Sequence, residues 1–169
     1  MMKNIVLVGF MGTGKTVVAK ALALSMGKRY VSVDELIEER EERSIKDIFE
    51  KDGEAYFRRI EKEIVKEVSG LEDLVLDPGG GVVLDGDNMR NLKENGTVIC
   101  LWAEPEVIRE RTSGSSERPL LNVKDPEARI REMLDERRPF YEKADMHIDT
   151  TELTVEETVS EIKKRIQDG

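Results

Sequence analysis

Five short apolar runs punctuate an otherwise charged chain. They are Ile5-Val6-Leu7-Val8, Tyr30-Val31-Ser32-Val33, Leu74-Val75-Leu76-Asp77, Val98-Ile99-Cys100-Leu101-Trp102 and Met146-His147-Ile148-Asp149. Each is strand-length, and the first, third and fourth are almost wholly apolar, the pattern of strands buried on both faces. Between them the apolar period lengthens to that of a helix. Phe57, Ile60, Ile64 and Val68 form one stripe, Ile130, Leu134 and Tyr141 a second, and Val155, Val159, Ile162 and Ile166 a third. Helices are also predicted over 17–24, 35–43, 87–95 and 105–112, with a short one carrying Ile45, Ile48 and Phe49. Strands alternating with helices predict an α/β fold, a parallel sheet covered on both faces in three layers.

Turn and cap residues divide these elements. Gly27 is placed to end the first helix, and Asp34 to cap the helix over 35–43. Ser44 suits the N-cap of the next helix, which Asp52-Gly53 should break before a longer one over 54–68. Asp125-Pro126-Glu127 is a helix start, and Thr154-Val155-Glu156-Glu157 a capping box.

The 169 residues suit one domain, and neither a repeat nor a domain boundary interrupts them. A net charge of −9 argues against a nucleic-acid surface and requires any anion site to be built locally from a few Arg and Lys. No apolar run approaches a membrane span, and the apolar stretch 5–11 is too short for a signal peptide. A lone cysteine, Cys100, reads as a packed apolar thiol and fits a reducing cytoplasm. His147 is the only histidine and has no metal-binding companions in the sequence.

The chemistry centres on Gly9-Phe10-Met11-Gly12-Thr13-Gly14-Lys15-Thr16, which fits the phosphate-binding P-loop pattern and lies between a predicted strand and a predicted helix. Backbone N–H groups in such a loop converge on phosphate oxygens, and the helix N-terminus adds partial positive charge. Gly12, Thr13, Gly14, Lys15, Thr16 and Val17 are therefore expected to hold a nucleoside triphosphate. Lys15 would reach the β- and γ-phosphates, and the Thr16 hydroxyl would bind Mg²⁺. Asp77, at the end of the third strand, sits where a P-loop protein carries a second magnesium-binding group. Asp34, Arg58, the Gly79-Gly80-Gly81 triplet, Arg118 and Arg137 are scattered candidates for a second site. A carboxylate with several guanidiniums suits a small ligand bearing hydroxyl and anionic groups. Glu61, three residues after Arg58, could orient it, and Arg137 interrupts an apolar stripe, where a cation needs a partner or a job.

Taken together these segments resemble the shikimate kinase family from end to end. The resemblance rests on the P-loop, the acid after the second strand, Asp52-Gly53-Glu54 with Phe57-Arg58-Arg59-Ile60-Glu61, the glycine triplet, Arg118-Pro119-Leu120-Leu121 and Arg137-x-Pro139-x-Tyr141. It implies a P-loop kinase fold of the nucleoside-monophosphate-kinase type with strand order 2-3-1-4-5. It implies transfer of phosphate from ATP, with Mg²⁺, to the 3-hydroxyl of shikimate, in aromatic amino-acid synthesis. A monomer in the cytoplasm is expected alongside it. It also implies roles. Asp34 would bind the acceptor hydroxyl and serve as its base. Arg58 and Arg137 would grip the shikimate carboxylate, and Gly79, Gly80 and Gly81 would hold the ring. Arg118 would close over the phosphates from a lid at about 113–124, Arg111 would lie against adenine, and the shikimate-binding helical region would span about 34–61.

Two departures from the family pattern stand out. The family carries D-x-D after the second strand, whereas this chain has Ser32-Val33-Asp34, so the acid that helps hold magnesium is missing. The other is Asp77-Pro78, where the family more often has a small hydroxyl residue and an apolar one. The expectation is that Asp77 has taken over the metal role, with Ser32 contributing at most through water. The alternatives are a relative with another sugar-acid acceptor, a GTP-dependent switch, and a catalytically dead kinase fold. The switch is disfavoured because N-K-x-D is absent.

Overall fold

The computed structural model describes residues 3–113 and 123–169. Residues 114–122, which include Arg118 and most of the lid expected at about 113–124, lie outside the described residues. The chain order is β1 (Asn4–Gly9), α1 (Lys15–Met26), β2 (Arg29–Ser32), α2 (Val33–Glu41), α3 (Ile45–Ser69), β3 (Leu74–Asp77), a 3-10 turn (Val82–Leu84), α4 (Gly86–Glu94), β4 (Gly96–Trp102), α5 (Pro105–Thr112), α6 (Pro126–Tyr141), β5 (Met146–Asp149) and α7 (Val155–Asp168). All five predicted strands are present, and they form one parallel sheet in the order β2-β3-β1-β4-β5.

Side-chain alternation along the inner strands sorts the core into two layers. Val6, Val8, Leu74, Leu76, Val98 and Cys100 face the layer built with α3, α4 and α6. Ile5, Leu7, Val75, Ile99 and Leu101 face Val18, Leu22, Val159 and Ile162 of α1 and α7. Both faces of β1 are thereby buried, which is why its sequence reads as a continuous apolar run rather than an alternating one. Cys100 lies in the first layer, and burial pushes its thiol up to about 12, so it packs as a small apolar group.

Local signals hold at most boundaries. Ser44, Asp125 and Thr154 cap their helices with side-chain bonds, and Thr154 with Glu157 closes the capping box. Gly53 breaks α3 with φ 82° and ψ 174°, a left-handed backbone that glycine adopts without strain. One cap differs from expectation. Asp34 does not cap α2; Ser32 does, its hydroxyl accepting from the Glu35 N–H at 3.2 Å, and Asp34 sits inside the first turn. Strand β2 ends one residue before the apolar run does, so the cap falls on Ser32 and the Asp34 carboxylate is left for other contacts. Asp85 caps α4, which starts at Gly86, one residue before the expected helix.

Candidate active site

In an open parallel sheet, ligands bind outside the carboxyl ends of the strands, where neighbouring connections leave in opposite directions. Here β1 lies between β3 and β4, and the P-loop leaves its carboxyl end directly into α1. Asp77 ends β3, and its Oδ2 accepts a hydrogen bond from the Thr16 hydroxyl at 2.6 Å and from the Tyr30 hydroxyl at 3.3 Å. Asp77 is 5% exposed. Ser32 is its register partner across the β2–β3 pair. Thr16 and Asp77 thus juxtapose two hard oxygen donors at the start of α1, a donor set that suits magnesium.

The glycine triplet is where the scattered candidates meet. A Cβ on Gly79 would lie 3.3 Å from Asp34 Oδ1. One on Gly80 would lie 3.6 Å from Arg137 Nη1 and 3.9 Å from Lys15 Nζ. One on Gly81 would meet the Arg58 guanidinium, which would have to swing aside from its present pose. Residues from α1, α2, α3, α6 and the loop after β3 are in this way gathered around one backbone segment.

Each charged group has a physical reason for its pose. Arg58 donates from Nη1 to both carboxylate oxygens of Glu61, at 2.9 and 3.0 Å. Glu61 is 2% exposed, and burial pushes its carboxyl up to about 7 against the opposing pull of Arg58. Arg137 stands over the Phe10 ring, 5.4 Å from its centroid, and forms no salt bridge among the described residues. Its place on the apolar stripe is thus explained by an aromatic face rather than a carboxylate. Burial pushes Asp34 up to about 6, and the Asp77 charge adds to this while Lys15 opposes it.

Three residues to which the sequence assigned no role in the site support it. Tyr141 donates its hydroxyl to the Gly80 carbonyl at 3.1 Å. Tyr30 touches Asp77, as described. Thr150, just past β5, contacts the Thr13 carbonyl at 3.2 Å. Arg111 bonds the Gly12 carbonyl at 3.3 Å and the Thr150 carbonyl at 2.8 Å. Tyr141 carried a hint in the R-x-P-x-Y motif, whereas nothing in the sequence marks Thr150.

The family model for shikimate kinase matches residues 11–167. A shikimate kinase of Caldanaerobacter subterraneus subsp. tengcongensis is 50% identical over 161 residues, covering 95% of this chain and 94% of that protein. This chain belongs to the shikimate kinase family. Among solved structures, the Acinetobacter baumannii shikimate kinase in complex with shikimate superposes with a TM-score of 0.94 at 36% identity, covering 99% of this chain and 94% of that one. The Aquifex aeolicus shikimate kinase gives 0.82 at 35% identity, covering 98% and 96%. The family fold, a five-stranded parallel sheet in the order 2-3-1-4-5 between helical layers, is the fold of this chain.

Proposed function

We infer that this shikimate kinase family member transfers the γ-phosphoryl group of ATP to the 3-hydroxyl of shikimate. The observation that carries the reading is the convergence of Asp34, Lys15, Arg58 and Arg137 on the glycine triplet beside the P-loop. The A. baumannii relative of the same fold was solved with shikimate, which supports shikimate as the acceptor.

The mechanism follows from charge and position. Phosphoryl transfer needs mainly alignment and neutralisation of charge. The P-loop backbone of Gly12–Val17 and the Lys15 ammonium hold the phosphates. Arg58, fixed by Glu61, and Arg137, held over Phe10, clamp the acceptor carboxylate from two elements, a geometry that specifies an anion and its orientation. Asp34 then accepts the hydroxyl proton; a carboxyl titrating near 6 is better matched to that task at neutral pH than an ordinary one. Thr16 and Asp77 would hold Mg²⁺, with Ser32 beside them reaching it only through water, and the ion would neutralise charge on the phosphates. The Asp77 carboxylate supplies what Ser32 cannot, which argues against a dead kinase fold. Arg111 spends its in-plane N–H groups on Gly12 and Thr150, leaving its face for adenine. Arg118 is assigned to the phosphates on its sequence motif alone.

The whole chain acts as one kinase domain, with residues 34–61 serving the acceptor and 113–124 as a lid. We place it in the cytoplasm as a monomer, consistent with its single buried cysteine. Among the described residues no helix is long and apolar enough to cross a membrane. A coupled assay of ADP release with Mg²⁺ and ATP tests the reading. Turnover with shikimate is expected, with little or none on gluconate or AMP; equal or greater turnover on either rival would overturn it.

A further inference from the structure

Thr150 lies in the connection between β5 and α7, far from the P-loop in sequence, yet it is 2% exposed and packed against that loop. Its Oγ1 lies 3.2 Å from the Thr13 carbonyl and 3.0 Å from the Trp102 carbonyl. Its own N–H already donates to Trp102 at 2.7 Å. The single hydroxyl proton is therefore better spent on Thr13. Arg111 Nη1 donates to the same hydroxyl at 3.1 Å and to the Gly12 carbonyl at 3.3 Å, so the hydroxyl accepts from a cation while it donates. Charge-assisted donation of this kind strengthens the next bond in the chain.

We propose that Thr150, polarised by Arg111, is a positioning residue that holds the P-loop in its phosphate-binding pose. No peptide in the described chain is cis. In a trans peptide the carbonyl and the following N–H point in opposite directions. Fixing the Thr13 carbonyl toward Thr150 therefore turns the Gly14 N–H to the other side of the loop. The Thr13 N–H is held separately by the Phe10 carbonyl at 3.3 Å, and the Thr13 hydroxyl by the same carbonyl at 2.7 Å, so the peptides on both sides of Thr13 are braced. Gly14, with φ 85°, could otherwise swing its peptide at little cost, and a loop that must order itself on binding binds more weakly. The brace matters for phosphate and not for the nucleoside, because only phosphate meets the loop's N–H groups.

This inference rests on the ATP-binding reading, and the test separates the two. ADP and adenosine affinities are measured by displacement of a fluorescent ADP analogue, and shikimate affinity by calorimetry. Thr150→Val keeps the shape and removes the hydroxyl. It should weaken ADP about tenfold, the effect of one lost buried hydrogen bond, while adenosine weakens far less, because Arg111 keeps its bond to the Thr150 carbonyl, and shikimate binds as in the wild type. Thr150→Ser should restore ADP binding to within about twofold. Arg111→Leu, at an exposed position, should weaken ADP by more than it weakens adenosine. Wild-type ADP affinity in Thr150→Val, or an equal loss of ADP and adenosine in either variant, would overturn the proposal alone. A wild-type chain that does not bind ADP would overturn the kinase reading as well.

Discussion

Asp34 is expected to make this protein less stable than it could be, and Asp34→Asn should reveal by how much. Burial and the Asp77 charge raise its carboxyl from 3.8 to about 6. Between those values the native state binds the proton and the unfolded chain does not. Wild-type stability therefore falls as pH rises through that window, and the deficit persists above it. A shift of this size corresponds to about 3 kcal/mol at pH 7. Partial exposure of the carboxylate, and its favourable place in the first turn of α2, reduce the expected figure to about 2 kcal/mol. Asp34→Asn keeps the shape and removes the charge, so at pH 7 it should melt roughly 4–8 °C above the wild type. At pH 4, where the native carboxyl is already protonated, most of that gain should vanish. The same variant should lose turnover by about 10²-fold or more, as expected for removal of a general base. Thermal melts of both proteins at the two pH values, by circular dichroism, provide the assay. A variant no more stable than the wild type at pH 7, or equally stabilised at both pH values, would refute the reasoning.

Three further predictions probe the rest of the site. Asp77→Asn should raise the Mg²⁺ concentration needed for half activity while leaving shikimate affinity alone, and adding Ser32→Asp should recover part of the loss; an unchanged Mg²⁺ requirement in a magnesium titration would reject the metal role of Asp77. Arg58→Ala and Arg137→Ala should each raise the shikimate KM with a smaller change for ATP, since losing one partner of a desolvated charge pair costs about 2–5 kcal/mol; normal saturation curves in both would remove the carboxylate clamp. Tyr141→Phe frees the Gly80 carbonyl, at a cost of about 1–3 kcal/mol for an unsatisfied buried acceptor, and should raise the shikimate KM several-fold with the ATP KM unchanged. Parallel steady-state titrations of the two substrates check this, and equal effects on both would make Tyr141 a packing residue only.

Much of this protein is written locally. The five strands, the break at Gly53, the caps at Ser44 and Asp125 and the capping box at Thr154 all depend on residues within a few positions of one another, and each was legible as a pattern. The P-loop was legible for the same reason, because phosphate is held by consecutive backbone N–H groups. Where two candidates lay side by side, local reading chose wrongly: Asp34 was expected to cap α2, but the end of β2 gave that place to Ser32. The strand order could not be read from periodicity, because every buried strand looks alike, and it came only through the family resemblance. The contacts that complete the site depend on it. Asp77 meets Thr16 because β3 lies beside β1, and Thr150 meets Thr13 because β4 carries β5 to the same end of the sheet. Tyr141 reaches Gly80 because α6 packs over the turn that follows the triplet. The sequence by itself determined which residues could do this chemistry. Only the packing of distant segments decided which hydroxyl, carboxylate and carbonyl would face one another, because such pairs leave no spacing in the chain to read.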